Sequence, residues 1–168
     1  MPMKRLSFIL IIFLFFTLPS CAEQDLPSCR EILNGIMQTE IGLPAGRIYS
    51  SAASECDEEY LSDQLINALY GNGSCPVMAE GWLDVAIFLP SSSHPCEFAV
   101  FLCDSEDTAD DTARMLCRRL DLIRTAKENG KLSSYFETAT ITVMRNYVLL
   151  IVSSDTQNAL NVASKIIK

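Results

Sequence analysis

The chain has 168 residues and a formal net charge of −8 at pH 7, which bounds it to one domain with a proper core. So acidic a balance makes nucleic acid a poor partner, because binding it means neutralising phosphates. Anionic lipid headgroups repel the same surface.

The first element in chain order is a leader. Lys4 and Arg5 open it, an apolar run follows from Leu6 to Phe16 broken only by Ser7, and Thr17-Leu18-Pro19-Ser20-Cys21 closes it. A basic start, a short apolar run and a small residue before the cut form the export pattern. The run is shorter than the roughly 20 apolar residues a helix needs to cross the hydrocarbon. It also lacks the polar face of a core helix. Residues 1–20 are therefore expected to be a signal peptide, residues 21–25 a short tether, and residues 26–168 a single domain. Leu18-Pro19-Ser20-Cys21 resembles the lipobox of bacterial lipoproteins, with Pro19 as its one departure. That resemblance implies lipidation of Cys21, whose thiol takes the diacylglyceryl group. Each buried methylene of an acyl chain contributes about 0.8 kcal/mol, so two or three chains hold a protein firmly to a bilayer. The competing expectation is plain secretion, with a cut near Ser20 or Ala22. Loss of Lys4 and Arg5 makes the charge two units more negative, so any hold on the membrane should come from the anchor. The tether reaches about 3.5 Å per residue, which keeps the domain near the membrane surface.

The remaining elements follow from periodicity and punctuation. Residues 26–39 read as a helix capped by Asp25, with Pro27 in its first turn and Ile32, Leu33, Ile36 and Met37 at helical spacing. Residues 41–53, with Gly42, Pro44, Gly46 and several serines, read as a connection. Residues 57–70 read as a second helix, stopped by Gly71, and Gly71-Asn72-Gly73-Ser74 as a loop. Trp82–Leu89 and Glu97–Cys103 read as strands joined by a seven-residue loop, Pro90 to Cys96. Thr108–Glu128 is the clearest helix. Ala109, Ala113, Leu116, Cys117, Leu120 and Ile123 form its expected buried stripe, with Arg118, Arg119 and Lys127 facing outward; Asn129-Gly130 ends it. Thr138–Met144 and Tyr147–Val152 are strands around a tight turn at Arg145-Asn146, where Asn tolerates positive φ. Asp155–Ile167 is a final helix. The order ααββαββα predicts an α+β fold, a four-stranded, mainly antiparallel sheet with helices packed on one face.

Tyr60-Leu61-Ser62-Asp63, Leu69-Tyr70-Gly71, Glu97-Phe98-Ala99-Val100-Phe101 and the stretch from Asn146-Tyr147-Val148 to Ser154-Asp155 carry a resemblance. They are similar to the small lipoproteins of Gram-positive anaerobes catalogued as domain-of-unknown-function family four-three-five-eight. The resemblance covers roughly residues 57–167 and implies a lipid-anchored extracytoplasmic domain of the cell envelope, with no assigned activity. Family members often carry a glycine where this chain has Arg145.

If Cys21 is acylated, Cys29, Cys56, Cys75, Cys96, Cys103 and Cys117 remain. An even count in an exported chain admits disulfides. Buried free thiols are the alternative, favoured for Cys103 and Cys117 by their apolar surroundings. Cys75 and Cys96, in loop-like sequence, are the ones expected to be paired or reactive. Cys56, in the first turn of the second helix, is a weak nucleophile candidate, since Glu55, Asp57, Glu58 and Glu59 would raise its pKa. That cluster lacks the spaced loop of a calcium hand, and acids there ordinarily partner the helix dipole. His94 is the sole histidine, so a Ser-His-Asp or Cys-His site would have to use it. It is expected to be a solvated loop residue. A metal site from His94, Cys96 and Cys75 or Cys103 lacks the Cys-x-x-Cys spacing of structural zinc, and the same spacing is missing for a thioredoxin-like motif. Glu97 is expected at the sheet's polar edge, with ligand binding as its alternative, and Tyr147 as a packing aromatic. Gly71-Asn72-Gly73 lacks the rest of either nucleotide motif. No catalytic residue, cofactor or metal is expected. The expected function is a non-enzymatic domain on the outer face of the membrane, held by lipid on Cys21, that binds an envelope protein or polymer. The alternative is an extracytoplasmic enzyme whose site is not visible in sequence.

Overall fold

Two strands of this protein are buried along their whole length, Glu97–Cys103 (β3) and Tyr147–Val152 (β5). Successive strand side chains point to opposite faces, so such strands need cover on both sides. The computed structural model, which describes residues 26–40, 42–71, 77, 80–92, 94–127 and 137–168, shows that cover. Phe98, Val100 and Leu102 of β3, with Tyr147, Leu149 and Ile151 of β5, enter one core. Ala99, Phe101 and Cys103, with Val148, Leu150 and Val152, enter a second core on the other face.

Three more strands complete the sheet: Gly46–Ser50 (β1), Trp82–Pro90 (β2) and Thr140–Met144 (β4). Its order is β1-β2-β3-β5-β4, and every neighbouring pair is antiparallel. Helices Cys29–Met37 (α1) and Thr156–Ile166 (α4) cover the first face through Ile32, Leu33, Ile36, Ala159 and Ala163. They cross so closely that a Cβ on Gly35 would meet the Ile166 side chain at 2.5 Å. Helices Asp63–Tyr70 (α2) and Glu106–Lys127 (α3) cover the second face through Ile66, Tyr70, Met115, Leu116 and Leu120.

The α+β class agrees with the sequence reading, but the expected four strands and single helical face do not. The fifth strand is β1, inside the stretch read as a connection. It is short and lies at the sheet edge, paired to β2 from Gly46 opposite Pro90 to Ser50 opposite Ala86. Its apolar content is only Ile48 and Tyr49, too little to outweigh the glycines and serines around it. Double-sided cover was written in the unbroken apolar run of β5, which a one-faced sheet could not bury.

Caps define the helix starts. Ser28 Oγ accepts from the Glu31 N–H at 3.1 Å, Ser62 Oγ from the Leu65 N–H at 3.2 Å, and Asp155 Oδ1 from the Asn158 N–H at 3.3 Å. The first helix is thus capped by Ser28, and Asp25 lies outside the described residues. The second begins at Asp63 rather than residue 57, which leaves Cys56 exposed in a turn before it, not in a helical first turn. At the β4–β5 turn it is Arg145, not Asn146, that has positive φ, at 55°. Positive φ at the first loop position alone belongs to a II′ rather than a I′ turn.

Candidate functional site

Glu97 opens β3 and is two residues from Ala99, so its side chain is on the second face, under α3. Turning at about 100° per residue, α3 brings Met115, Arg119 and Ile123 onto one line. Arg119 therefore points at the sheet, with its aliphatic stem among apolar neighbours. Its Nη2 donates to Glu97 Oε2 at 2.7 Å and its Nε to Oε1 at 3.2 Å, a two-point clasp. Side-chain exposure is 5% for Glu97 and 21% for Arg119, so the pair is largely desolvated. Burial works against the Arg119 charge, but the Glu97 carboxylate outweighs it and holds the guanidinium above its ordinary pKa.

This overturns two expectations. Glu97 is not at a polar edge; β3 is the middle strand and the carboxylate is buried. Arg119 does not face outward, whereas Cys117, assigned to the buried stripe, is exposed. In helical projection Cys117 falls beyond Ala113, at the margin of the buried arc, and Arg119 falls within it.

Around the pair lies a cleft of about 580 Å³ between the C-terminal end of α2, the middle of α3 and the end of the β2–β3 hairpin. That volume is in the range of small-ligand sites. Leu69, Leu89, Pro95, Leu122 and Ile123 give apolar walls, and His94, Cys96, Glu97 and Arg119 supply polar groups. Leu122 is 59% exposed at the rim. His94 is only half-exposed, rather than the solvated loop residue expected, and its Nδ1 accepts from the Cys96 backbone N–H at 3.2 Å. Cys96, expected to be paired or reactive, is a buried free cysteine. Burial pushes its thiol up to about 12, with Glu40 and Glu97 adding to the rise.

Tyr70, the last residue of α2, stands behind the pair. Its ring meets Phe101 edge-on, with centroids 5.7 Å apart. Its buried hydroxyl has no hydrogen-bond partner among the described residues. Burial holds the phenol well above its usual range, with the Glu97 charge adding to the shift and the Arg119 charge opposing it.

The other candidates stand apart from this cleft. Cys29, Cys56, Cys103 and Cys117 are free like Cys96, and Cys75 lies outside the described residues. Among the described residues no three His, Cys, Asp or Glu side chains converge as a metal ion requires. Tyr147 is a buried strand aromatic, as expected, whose hydroxyl also donates to the Pro27 carbonyl at 2.6 Å and ties the start of α1 to the sheet. Residues 1–25, with Cys21 and the leader, lie outside the described residues, as do 72–76 and 128–136. Among the described residues no helix is long and apolar enough to cross a membrane. No family model matches the chain, and no curated protein or solved structure matches it.

Proposed function

We propose that this protein is a lipid-anchored extracytoplasmic binding domain, of the kind the lipoprotein resemblance implies, which receives an envelope component in the cleft over Glu97 and Arg119. The observation that carries the binding role is the buried two-point Glu97–Arg119 pair in an apolar-walled cleft. Arg119 neutralises Glu97, the His94 Nδ1 is engaged by a backbone N–H, and the Cys96 thiol is held protonated. Groups so engaged orient a ligand between apolar walls. The anchor is supported by the leader and by Leu18-Pro19-Ser20-Cys21.

Two measurements test the reading. A photo-crosslinking residue at Leu122 should capture an envelope component in intact cells, while the same residue at the exposed Val143 on β4 should not. Equal capture from both positions removes the cleft from the proposal. A Cys21→Ser protein that still fractionates with membranes removes the anchor.

The meeting of His94 and Glu97 in one cleft favours a second reading, an extracytoplasmic enzyme that uses them as proton carriers. Loss of a measured turnover in both His94→Ala and Glu97→Gln, with ligand capture at Leu122 retained, would establish it over the first.

A further inference from the structure

A second concavity of about 320 Å³ lies on the same sheet face, at the other end of β2 and at the N-terminal end of α2. A β-bulge builds it. Trp82 pairs with Cys103 and Asp84 with Leu102, so Leu83 is an extra residue in the ladder. Without the bulge Trp82 and Asp84 would share a face; with it they diverge, as bulges beside sites commonly re-aim side chains. Trp82 turns onto the second face, where its indole N–H donates to Thr112 Oγ1 at 2.8 Å and its ring packs on Phe101 at 4.9 Å. Asp84 turns toward the first face, where it accepts from the Cys29 N–H at 2.7 Å and from Ser51 Oγ at 3.1 Å. Leu83 is left 64% exposed at the rim.

The described lining therefore holds two aromatic rings, Trp82 and Tyr60, two carboxylates, Asp63 and Asp84, and an exposed leucine, but no basic side chain. Asp84 is spent on the Cys29 N–H and the Ser51 hydroxyl toward the first face, so Asp63 supplies the pocket's charge. The approach is acidic too: residues 55–63 carry Glu55, Asp57, Glu58, Glu59 and Asp63 and no cation. The arginines that reach this loop, Arg30 and Arg47, are already paired with Glu59 and Glu58. Aromatic rings beside a carboxylate, with an apolar rim, are the chemistry that selects an alkylated cation over an anion or a neutral molecule. We propose that this bulge pocket binds a small organic cation, an alkylammonium group, seated against Trp82 and Tyr60 with Asp63 as its counter-charge. The site is separate from the cleft over Glu97 and Arg119 and does not depend on it.

Trp82 is the only tryptophan of the chain, so its fluorescence reports on the pocket directly. Full-length protein in non-ionic detergent is titrated with choline, and in parallel with 3,3-dimethylbutan-1-ol, which has the same shape without the charge. A saturable change in Trp82 emission is expected for choline, and binding roughly tenfold weaker or undetectable for the alcohol, as the loss of cation–π and ionic attraction implies. Asp63→Asn, on the exposed first turn of α2, should weaken choline binding severalfold with the circular dichroism spectrum and melting temperature unchanged. Tyr60→Leu should do the same, read by calorimetry as well as fluorescence. Val143→Ala, exposed on β4 away from both cavities, should leave choline binding unchanged. The proposal is overturned if choline gives no saturable change, if the alcohol binds as well as choline, or if folded Asp63→Asn binds choline with undiminished affinity.

Discussion

The Arg119 guanidinium grips the Glu97 carboxylate at two points, joining the middle of α3 to the first residue of the central strand. Removing one partner of a buried pair strands a charge, which costs about 3–5 kcal/mol, whereas replacing both with apolar residues is close to neutral. Arg119→Met should therefore lower stability to urea by that order. The double variant Glu97→Leu with Arg119→Met should recover most of the loss. A double variant no more stable than Arg119→Met would show that the pair is not desolvated as described.

Two tyrosine hydroxyls make opposite predictions from the same substitution. The Tyr70 hydroxyl is buried without a partner among the described residues, and an unmet polar group costs about 1–3 kcal/mol. Tyr70→Phe should raise the melting temperature. The Tyr147 hydroxyl donates to the Pro27 carbonyl, so Tyr147→Phe should cost about 1 kcal/mol and speed hydrogen exchange at the start of α1. Changes of the same sign in the two variants would contradict the assigned hydrogen bonding.

Arg145 holds a φ of 55° at the β4–β5 turn. A left-handed conformation costs a non-glycine residue about 1–2 kcal/mol, and glycine forfeits part of that saving through its freer unfolded chain. Arg145→Gly should leave a net gain of up to about 1 kcal/mol in thermal or urea unfolding. A clear loss of stability would mean that the arginine side chain holds the turn by a contact outweighing its backbone strain.

Glu40 accepts the Ser153 hydroxyl on both oxygens at 2.7 Å. Burial raises its pKa above the usual glutamate value; the Ser153 hydrogen bond opposes the rise and Asp155 adds to it. The folded state thus holds this proton more tightly than the unfolded chain. The resulting stability is fully present below the unfolded glutamate pKa and is lost as pH rises through the folded one. Glu40→Gln should be more stable than the parent at neutral pH, by at most about 2–4 °C, the shift that ~1 kcal/mol makes in a protein of this size. The advantage should vanish on acidification below the ordinary carboxylate range. An advantage independent of pH would rule out titration of Glu40 as its source.

Cysteine accessibility gives a further check. Cys56 and Cys117 are exposed and should react rapidly with a thiol reagent in the folded protein. Cys29 and Cys96 are buried and held as thiols, so they should react only on unfolding. Peptide mass spectrometry of timed labelling separates the two classes, and fast native labelling of Cys96 would contradict its burial.

The sequence by itself determined the strands richest in apolar residues and the helices with strong punctuation. Glu97–Cys103 and Tyr147–Val152 lie where composition places them, because an apolar run of that length has few other solutions. Asp155 caps the last helix through local side-chain chemistry that needs no tertiary contact. Arg119 was legible only in part: its spacing from Met115 and Ile123 puts it on the buried arc, but a charge is read as solvated until a partner is known. That partner is Glu97, 22 positions earlier in the chain, brought beneath it by the packing of α3 on the sheet. Tertiary structure alone decided the bulge at Leu83, since one extra residue in a ladder exists only relative to the strand opposite. It likewise decided β1, whose few apolar residues become a strand because β2 offers an edge to pair with. Local patterns set which segments are helix or strand; only long-range pairing sets which side chains meet, and both cavities are made of such meetings.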